Sequence, residues 1–432
     1  MHLLYTLLAC LAAPVAFGQV LWRSLSDPAY RSGWAERFGR GEGIRGRGCI
    51  WVHAVSMGEV SAAAPLVRAL RRQYADWPLV LTTATPTGAR RARELFEAAG
   101  VDVRYGPYDT PRSVARFFDR VRPRLAIFME TELWPNLHRE CARRSVPRII
   151  ASARISARSW PRYRRLRALT RPMLASGITV AAQTQADAER FRELGAPAAQ
   201  VLVAGNLKFD VSVDGDVRSR GVELRTAVLR GRTAWTAGST HGGEEERVLD
   251  AHALVRASVP DALLVLAPRH PQRFDAVASL LERRAINFVR RSAAQAVQPE
   301  TEVLLLDCVG ELAAFYAASQ AAFVGGSLAP IGGHNLLEPA ALGVPVATGP
   351  HQSNSVDVAK RMFDSGAAVR VEDAIQLAAA ISGWLMEPGE SARIGALGRS
   401  VVAANRGALQ RLLTLVAQRL PAEAAGGPPG SG

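Results

Sequence analysis

Lysine is nearly absent from this chain: of its 53 basic residues, only Lys208 and Lys360 are not arginine. Such a bias reflects genome base composition, and it makes a retained lysine informative. Lys208 stands in GNLKFD at the end of a short apolar run, where a compact ammonium fits and a guanidinium fork need not. Lys360 lies in an ordinary helical stretch and is assigned nothing. Cysteine is also sparse. Cys10, Cys49, Cys141 and Cys308 are scattered with no CxxC pair, so neither a disulfide framework nor a zinc-type ligand set is expected. A reducing compartment follows. Acidic residues number only 39, which leaves a formal net charge of +14. A basic surface suits nucleic acid, anionic lipid or phosphorylated substrates. No zinc finger, helix-turn-helix or RNA-binding signature accompanies the charge, so lipid or phosphate is expected and nucleic acid is not.

Charge is missing altogether from residues 3–22, a mostly apolar run of about the 20 residues that span a bilayer. Pro14 and Gly18 interrupt it, which membrane helices tolerate. Residues 1–24 are therefore assigned to a membrane anchor. Arg23, Arg31, Arg37 and Arg40 follow at once, placing the body on the cytoplasmic side by the positive-inside rule. A cleaved signal peptide lacks its basic start here. The lipobox-like Leu7-Leu8-Ala9-Cys10 lies too close to the amino terminus. Whether the anchor crosses the bilayer or lies in one leaflet is left open.

With 432 residues and 48% hydrophobic content, two globular domains are expected. Short apolar strands alternate with helical segments from CIWVHAVS to GITVAAQ, and again from TAWTAGS to VPVATG. Alternation of that kind argues parallel, doubly wound sheets, whose ligands bind beyond the carboxyl ends of the strands. The expected fold class is α/β of GT-B type: two Rossmann-like domains facing a cleft, with an amino-terminal anchor helix. The boundaries are 25–210 for an acceptor-binding domain, 211–420 for a nucleotide-sugar-binding domain, and 421–432 for a disordered Gly/Pro/Ala tail. Residues 210–233 are polar and read as the inter-domain region, and Asp214-Gly215-Asp216 within them as a turn.

The most informative stretch is FVGGSLAPIGGHNLLEPAALGVPVATGPHQSN, from Phe323 to Asn354. It reads as strand, glycine loop, short helix and strand. The loop is expected to offer free backbone N–H groups to a phosphate, with Asn335 and Glu338 one helical turn apart for a sugar. Other candidates also fall at strand ends. Glu59 opens a helix as either a general base or a dipole-matched cap. Glu130 and Glu132 in METELWPN are expected on one side of an extended segment, to orient an acceptor, balance Lys208 or cap the next helix. Ser239-Thr240-His241 with Glu244 to Glu246 reads as a capping-box start or a phosphate contact. Arg269 and His270 suit carboxylate or phosphate recognition, and Gly310 with Glu311 suits a base or phosphate contact. Seven arginines from Arg154 to Arg171, with Trp160 and Tyr163 among them, form either a solvated basic helix or a grip on anionic head groups. No cluster has metal-ligand spacing, so a metal-independent enzyme without cofactors is expected.

Taken together, SGWAERFGR, WVHAVSMGEV, TTATPTGARRA, METELWPNL, ARISARSW, AGNLKFD, AGSTHGGEEE, APRHP, DCVGEL and the 323–354 stretch resemble the lipid A-specific 3-deoxy-D-manno-octulosonic acid (Kdo) transferases. The scarcity of lysine departs from the family in style and touches no motif. The resemblance implies a CMP-Kdo donor, a phosphorylated lipid A precursor (lipid IVA) as acceptor, and a metal-independent inverting transfer in lipopolysaccharide synthesis. It implies Glu59 as general base, with Glu130 and Lys208 stabilising charge in the transition state. It places CMP on Pro268 and Arg269, on Val309, Gly310 and Glu311, and on Asn335, Leu336, Leu337 and Glu338. A transferase using a UDP sugar, a membrane-anchored lipopolysaccharide-binding scaffold and a soluble epimerase are the competing readings.

Overall fold

The computed structural model describes residues 1–420 except 45, 47, 176 and 211–214; the tail 421–432 and Asp214 lie outside the described residues. The chain divides into two compact units. The first runs from Met1 to Asp210 and regains the chain at Arg406; the second runs from Val211 to Asn405.

The first unit is built on strands β1 (Cys49–His53), β2 (Leu79–Thr83), β3 (Asp102–Tyr105), β4 (Pro123–Met129), β5 (Arg148–Ala153), β6 (Ile178–Ala182) and β7 (Val201–Val203). All are parallel, in the order β3-β2-β1-β4-β5-β6-β7. Successive side chains of a strand face opposite ways. Ile50 and Val52 thus meet Val60, Ala63 and Val67 of the helix Met57–Gln73. Trp51 points the other way, into Phe117, Phe118 and Phe128. Both sheet faces are covered, so the strands read as continuous apolar runs and not as alternating ones.

The second unit repeats the plan with β8 (Ala234–Thr240), β9 (Leu263–Pro268), β10 (Phe288–Arg290), β11 (Val303–Leu305), β12 (Ala321–Val324), β13 (Val346–Thr348) and β14 (Ala368–Arg370). These too are parallel, in the order β10-β11-β9-β8-β12-β13-β14. The strand order reverses between β1 and β4 in the first sheet and between β8 and β12 in the second. Such switch points leave a crevice at the carboxyl ends of the strands, where ligands of open α/β sheets bind.

Two boundaries differ from the expectation. Residues 210–233 are not a bare connection, because the helix Gly215–Ala227 packs on the helix Leu312–Ala318 of the second unit. A Cβ on Gly221 would stand 2.5 Å from the Ala317 methyl, so the missing side chain lets the two helices touch. Asp216, read as part of a turn, lies in the first turn of this helix. At the other end, the helix Ala408–Arg419 belongs to the first unit, although 211–420 was assigned to the second domain. Its Ala408, Leu412 and Val416 are buried with Val60 and Leu66 in the first core. Asp210 secures the return by accepting the Gly407 and Leu409 N–H groups, each at 2.7 Å.

Candidate active site

In the first unit the site grows from the switch point. Beyond β1 the chain turns at Ser56, which caps the helix Met57–Gln73 and accepts the Glu59 N–H at 3.3 Å. Glu59 answers: its Oε1 accepts from Ser56 Oγ at 2.9 Å and its Oε2 from the Val55 N–H at 2.8 Å. The capping use is therefore realised. It does not exhaust the carboxylate, since each oxygen keeps a lone pair for a further donor. Burial first, then the charges of Glu132 and Glu130, push the Glu59 carboxyl up to about 7, against attraction from its two hydrogen bonds. Such a group is poised to exchange a proton near neutral pH.

Glu130 and Glu132 follow β4, the neighbour of β1. They do not share a side of an extended segment. The strand ends at Met129, and Glu130 takes a left-handed conformation (φ 53°) while its N–H donates to Ala151 O at 2.9 Å. That conformation costs a residue with a Cβ about 1 kcal/mol or more, and it persists only where the surroundings impose it. A turn, not strand alternation, brings the two carboxyls toward Glu59. Glu132 accepts from Trp134 Nε1, and its carbonyl accepts from His138 Nε2 at 2.9 Å. The buried His138 ring, 4.3 Å from the Phe128 ring, holds the turn in place. Burial raises the Glu132 carboxyl too. Lys208 stands at the carboxyl end of β7, half-buried in the turn Leu207–Phe209, with its N–H on Asn206 Oδ1 at 2.9 Å.

In the second unit the glycine loop after β12 is organised differently from the expectation. Glu244, wholly buried, takes the loop's N–H groups itself. Its carboxylate accepts from Gly326 (2.7 Å), Ser327 (2.8 Å), Leu328 (2.8 Å) and Ala329 (3.2 Å), and from the His241 N–H at 3.0 Å. The anion of this loop is an internal side chain, so residues 326–329 do not offer free donors to a phosphate. The loop's second half closes on a histidine cluster. His334 Nε2 lies 2.8 Å from His241 Nε2 with the rings stacked, and the His270 ring stands edge-on to His241 at 5.2 Å. Burial pulls His334 down to about 4 and lowers His241, so both rings are neutral near pH 7. Gly326 (φ 69°) makes room, since a Cβ there would stand 2.7 Å from the His334 ring.

Arg269, beyond β9, lies where its charge acts on His334, His241 and Glu338. Burial raises the Glu338 carboxyl, which the Asn335 amide contacts at 3.1 Å; Asn335 Oδ1 in turn accepts the Leu337 N–H. The structure thus gathers Arg269, His241, His270, His334, Asn335 and Glu338. Pro268 ends β9 beside them, and Leu336 and Leu337 are buried behind. Glu311 is turned elsewhere: Arg291 grips it at 2.9 and 3.1 Å and Arg220 at 3.3 Å, which holds its carboxyl below the usual range. Val309 is exposed beside it, and Gly310 adopts φ 94°. His138 and His334 escaped the sequence reading. His334 had a visible signal, its place in GGHN at a strand end; His138 had none. Among the described residues no group of three or more His, Cys, Asp or Glu side chains is arranged to hold a metal ion.

Residues 32–211 match the family model described as 3-Deoxy-D-manno-octulosonic-acid transferase (kdotransferase). The 3-deoxy-D-manno-octulosonic acid transferase of Haemophilus influenzae is 39% identical over 418 residues, covering 95% of this chain and 97% of that protein. The crystal structure of the C-terminal CMP-Kdo binding domain of WaaA from Acinetobacter baumannii is 34% identical and covers 44% of this chain and 99% of that one, with a TM-score of 0.42. The UDP-GlcNAc 2-epimerase of Neisseria meningitidis, at 12% identity and a TM-score of 0.53, covers 86% of this chain and 100% of its own; that likeness concerns the GT-B fold alone. With near-complete coverage at that identity, and with paired carboxylates at one switch point and an Arg/His/Glu cluster at the other, the chain is a glycosyltransferase belonging to the 3-deoxy-D-manno-octulosonic acid transferase family.

Proposed function

We propose that this enzyme transfers Kdo from CMP-Kdo to a sugar hydroxyl of a phosphorylated lipid A precursor, lipid IVA, at the inner membrane. The observation that carries the reading is the Glu59 carboxyl, held near 7 at the first switch point beside two further carboxylates. Ionised, Glu59 takes the proton of the acceptor hydroxyl as its oxygen attacks the anomeric carbon of Kdo. The C–O bond to the phosphate breaks from the opposite face, CMP leaves with the electron pair, and the anomeric centre inverts. Lys208 and Glu130 stabilise charge as it develops. Arg269, Asn335 and Glu338, with the Val309–Glu311 main chain, hold CMP. The 39% identity to a 3-deoxy-D-manno-octulosonic acid transferase over nearly the whole chain supports Kdo as the sugar transferred.

The test supplies CMP-Kdo and a tetra-acylated lipid A precursor to the full chain and weighs the lipid product. A mass gain of whole Kdo units with matching CMP release is expected, with inhibition by CMP and none by UDP. Transfer from a UDP sugar, or no CMP release, overturns the reading. The proposed chemistry uses no metal ion, so activity is expected to survive EDTA; a loss restored by a divalent cation rejects that part. Arg269→Met is expected to weaken CMP binding about 10- to 100-fold by calorimetry, the loss of one charged hydrogen-bond donor.

A further inference from the structure

The helix His2–Ser26 is long and apolar enough to cross a membrane. Yet it touches the rest of the first unit near both ends, through one face. Tyr5 Oη donates to Asp109 Oδ2 at 2.8 Å, and Thr6 Oγ1 to Asn136 Oδ1 at 3.0 Å. Arg139 Nη1 donates to His2 Nδ1 at 3.1 Å. Near the other end, the Phe17 ring sits against Trp34 and Phe38, with centroids at 5.8 and 5.1 Å. The half-buried residues Tyr5, Thr6, Ala9, Ala13, Phe17 and Val20 recur at helical spacing, and all but Val20 are polar, small or aromatic. The opposite face carries Leu3, Leu7, Leu11 and Val15, which are 58–81% exposed. A helix packed for water would bury its leucines and expose Tyr5 and Thr6. This one does the reverse, so the partner of its outer face is apolar.

From this arrangement we infer that the helix is monotopic: it lies along one leaflet with its leucine face in the acyl layer, and it does not cross the bilayer. A 25-residue helix is about 37 Å long. Threading it across a hydrocarbon core of about 30 Å would carry Asp109, Asn136 and Arg139 to the depth of the lipid chains. A charge at the bilayer centre is costly even on the lenient scales. Lying flat sinks the leucines by about 5–10 Å and leaves those groups at the interface. Charge agrees. The helix Pro135–Arg143, which bears Arg139, contacts both the amino-terminal helix and Arg167–Leu174. Beyond it Arg158, Arg162, Arg164, Arg165 and Arg167 are exposed. An anionic head-group layer is the match for those arginines.

The inference rests on the membrane attachment in the proposed function and not on the transfer chemistry. The full chain is given an uncharged, protease-cleavable tag at each end, and sealed membrane vesicles from expressing cells are treated with the protease. Removal of both tags from the same side is expected. Removal from opposite sides establishes a spanning helix and overturns the inference. Failure of the chain to pellet with membranes overturns the attachment itself. In a second measurement, Leu7→Glu/Leu11→Glu is expected to weaken binding to phosphatidylglycerol-containing vesicles at least 10-fold while CMP binding is unchanged. Unaltered vesicle binding by that variant rejects the leucine face as the lipid contact.

Discussion

Glu59→Gln is expected to bind CMP as the wild type does and to lose about 10²- to 10⁴-fold in kcat, the usual contribution of a positioned general base. Glutamine can keep the capping contacts with Ser56 and Val55, so the helix start should survive and the loss would report chemistry. Calorimetry with CMP and a turnover assay separate the two. Wild-type turnover in this variant removes Glu59 from the mechanism. The pH profile carries the same claim. A carboxyl held near 7 must be ionised to act, so kcat/KM should fall as pH drops through about 7, and not through the ordinary glutamate range.

Stability should move the opposite way. In the unfolded chain Glu59 ionises at its ordinary value of 4.5; in the folded chain it ionises near 7. Below the lower value the group is neutral in both states and costs nothing. As pH rises between the two, the folded state increasingly holds a carboxylate that burial and its neighbours disfavour, and above about 7 that cost is fully present. Glu59→Gln removes it. The variant should therefore unfold at a higher temperature than the wild type at pH 8, by on the order of 1 kcal/mol, and show little gain at pH 4.5. A gain independent of pH would assign the effect to packing.

Glu244→Ala is expected to be among the most damaging single changes in the second unit. It would leave the N–H groups of Gly326, Ser327, Leu328 and Ala329, together with that of His241, without their acceptor. Orphaned buried donors cost about 1–3 kcal/mol each before relaxation, so a loss above about 3 kcal/mol is expected in urea unfolding, with donor binding lost alongside. Glu244→Gln should fall in between, because an amide offers one acceptor oxygen where the carboxylate offers two. If Glu244→Ala unfolds within 1 kcal/mol of the wild type, the loop does not depend on this internal anion.

The alternation of apolar runs with helical segments was sufficient for the fold class and for most strands. Those runs are buried on both faces, and burial of that kind is written locally. The edge strand β14 escaped because its Val369 and Arg370 are exposed and leave no apolar run to read, whereas β7 was legible as the short strand before GNLKFD. Strand ends were legible too, which is why Glu59, Glu130, Arg269, Asn335 and Glu338 could be named before any coordinates. Tertiary structure alone decided the rest. The anion held by the glycine loop proved to be Glu244, more than 80 positions upstream, and no local pattern reports a partner at that separation. The sequence reading placed 408–419 in the second domain, since its apolar stripe fits either sheet until Asp210 captures its amino end. The apolar length of residues 3–22 pointed to lipid as a partner. The face proposed to meet it followed from the hydrogen bonds of Tyr5 and Thr6 to residues some 100 positions or more away. Periodicity is a property of neighbours along the chain, whereas the choice of who satisfies a buried polar group is made by neighbours in space.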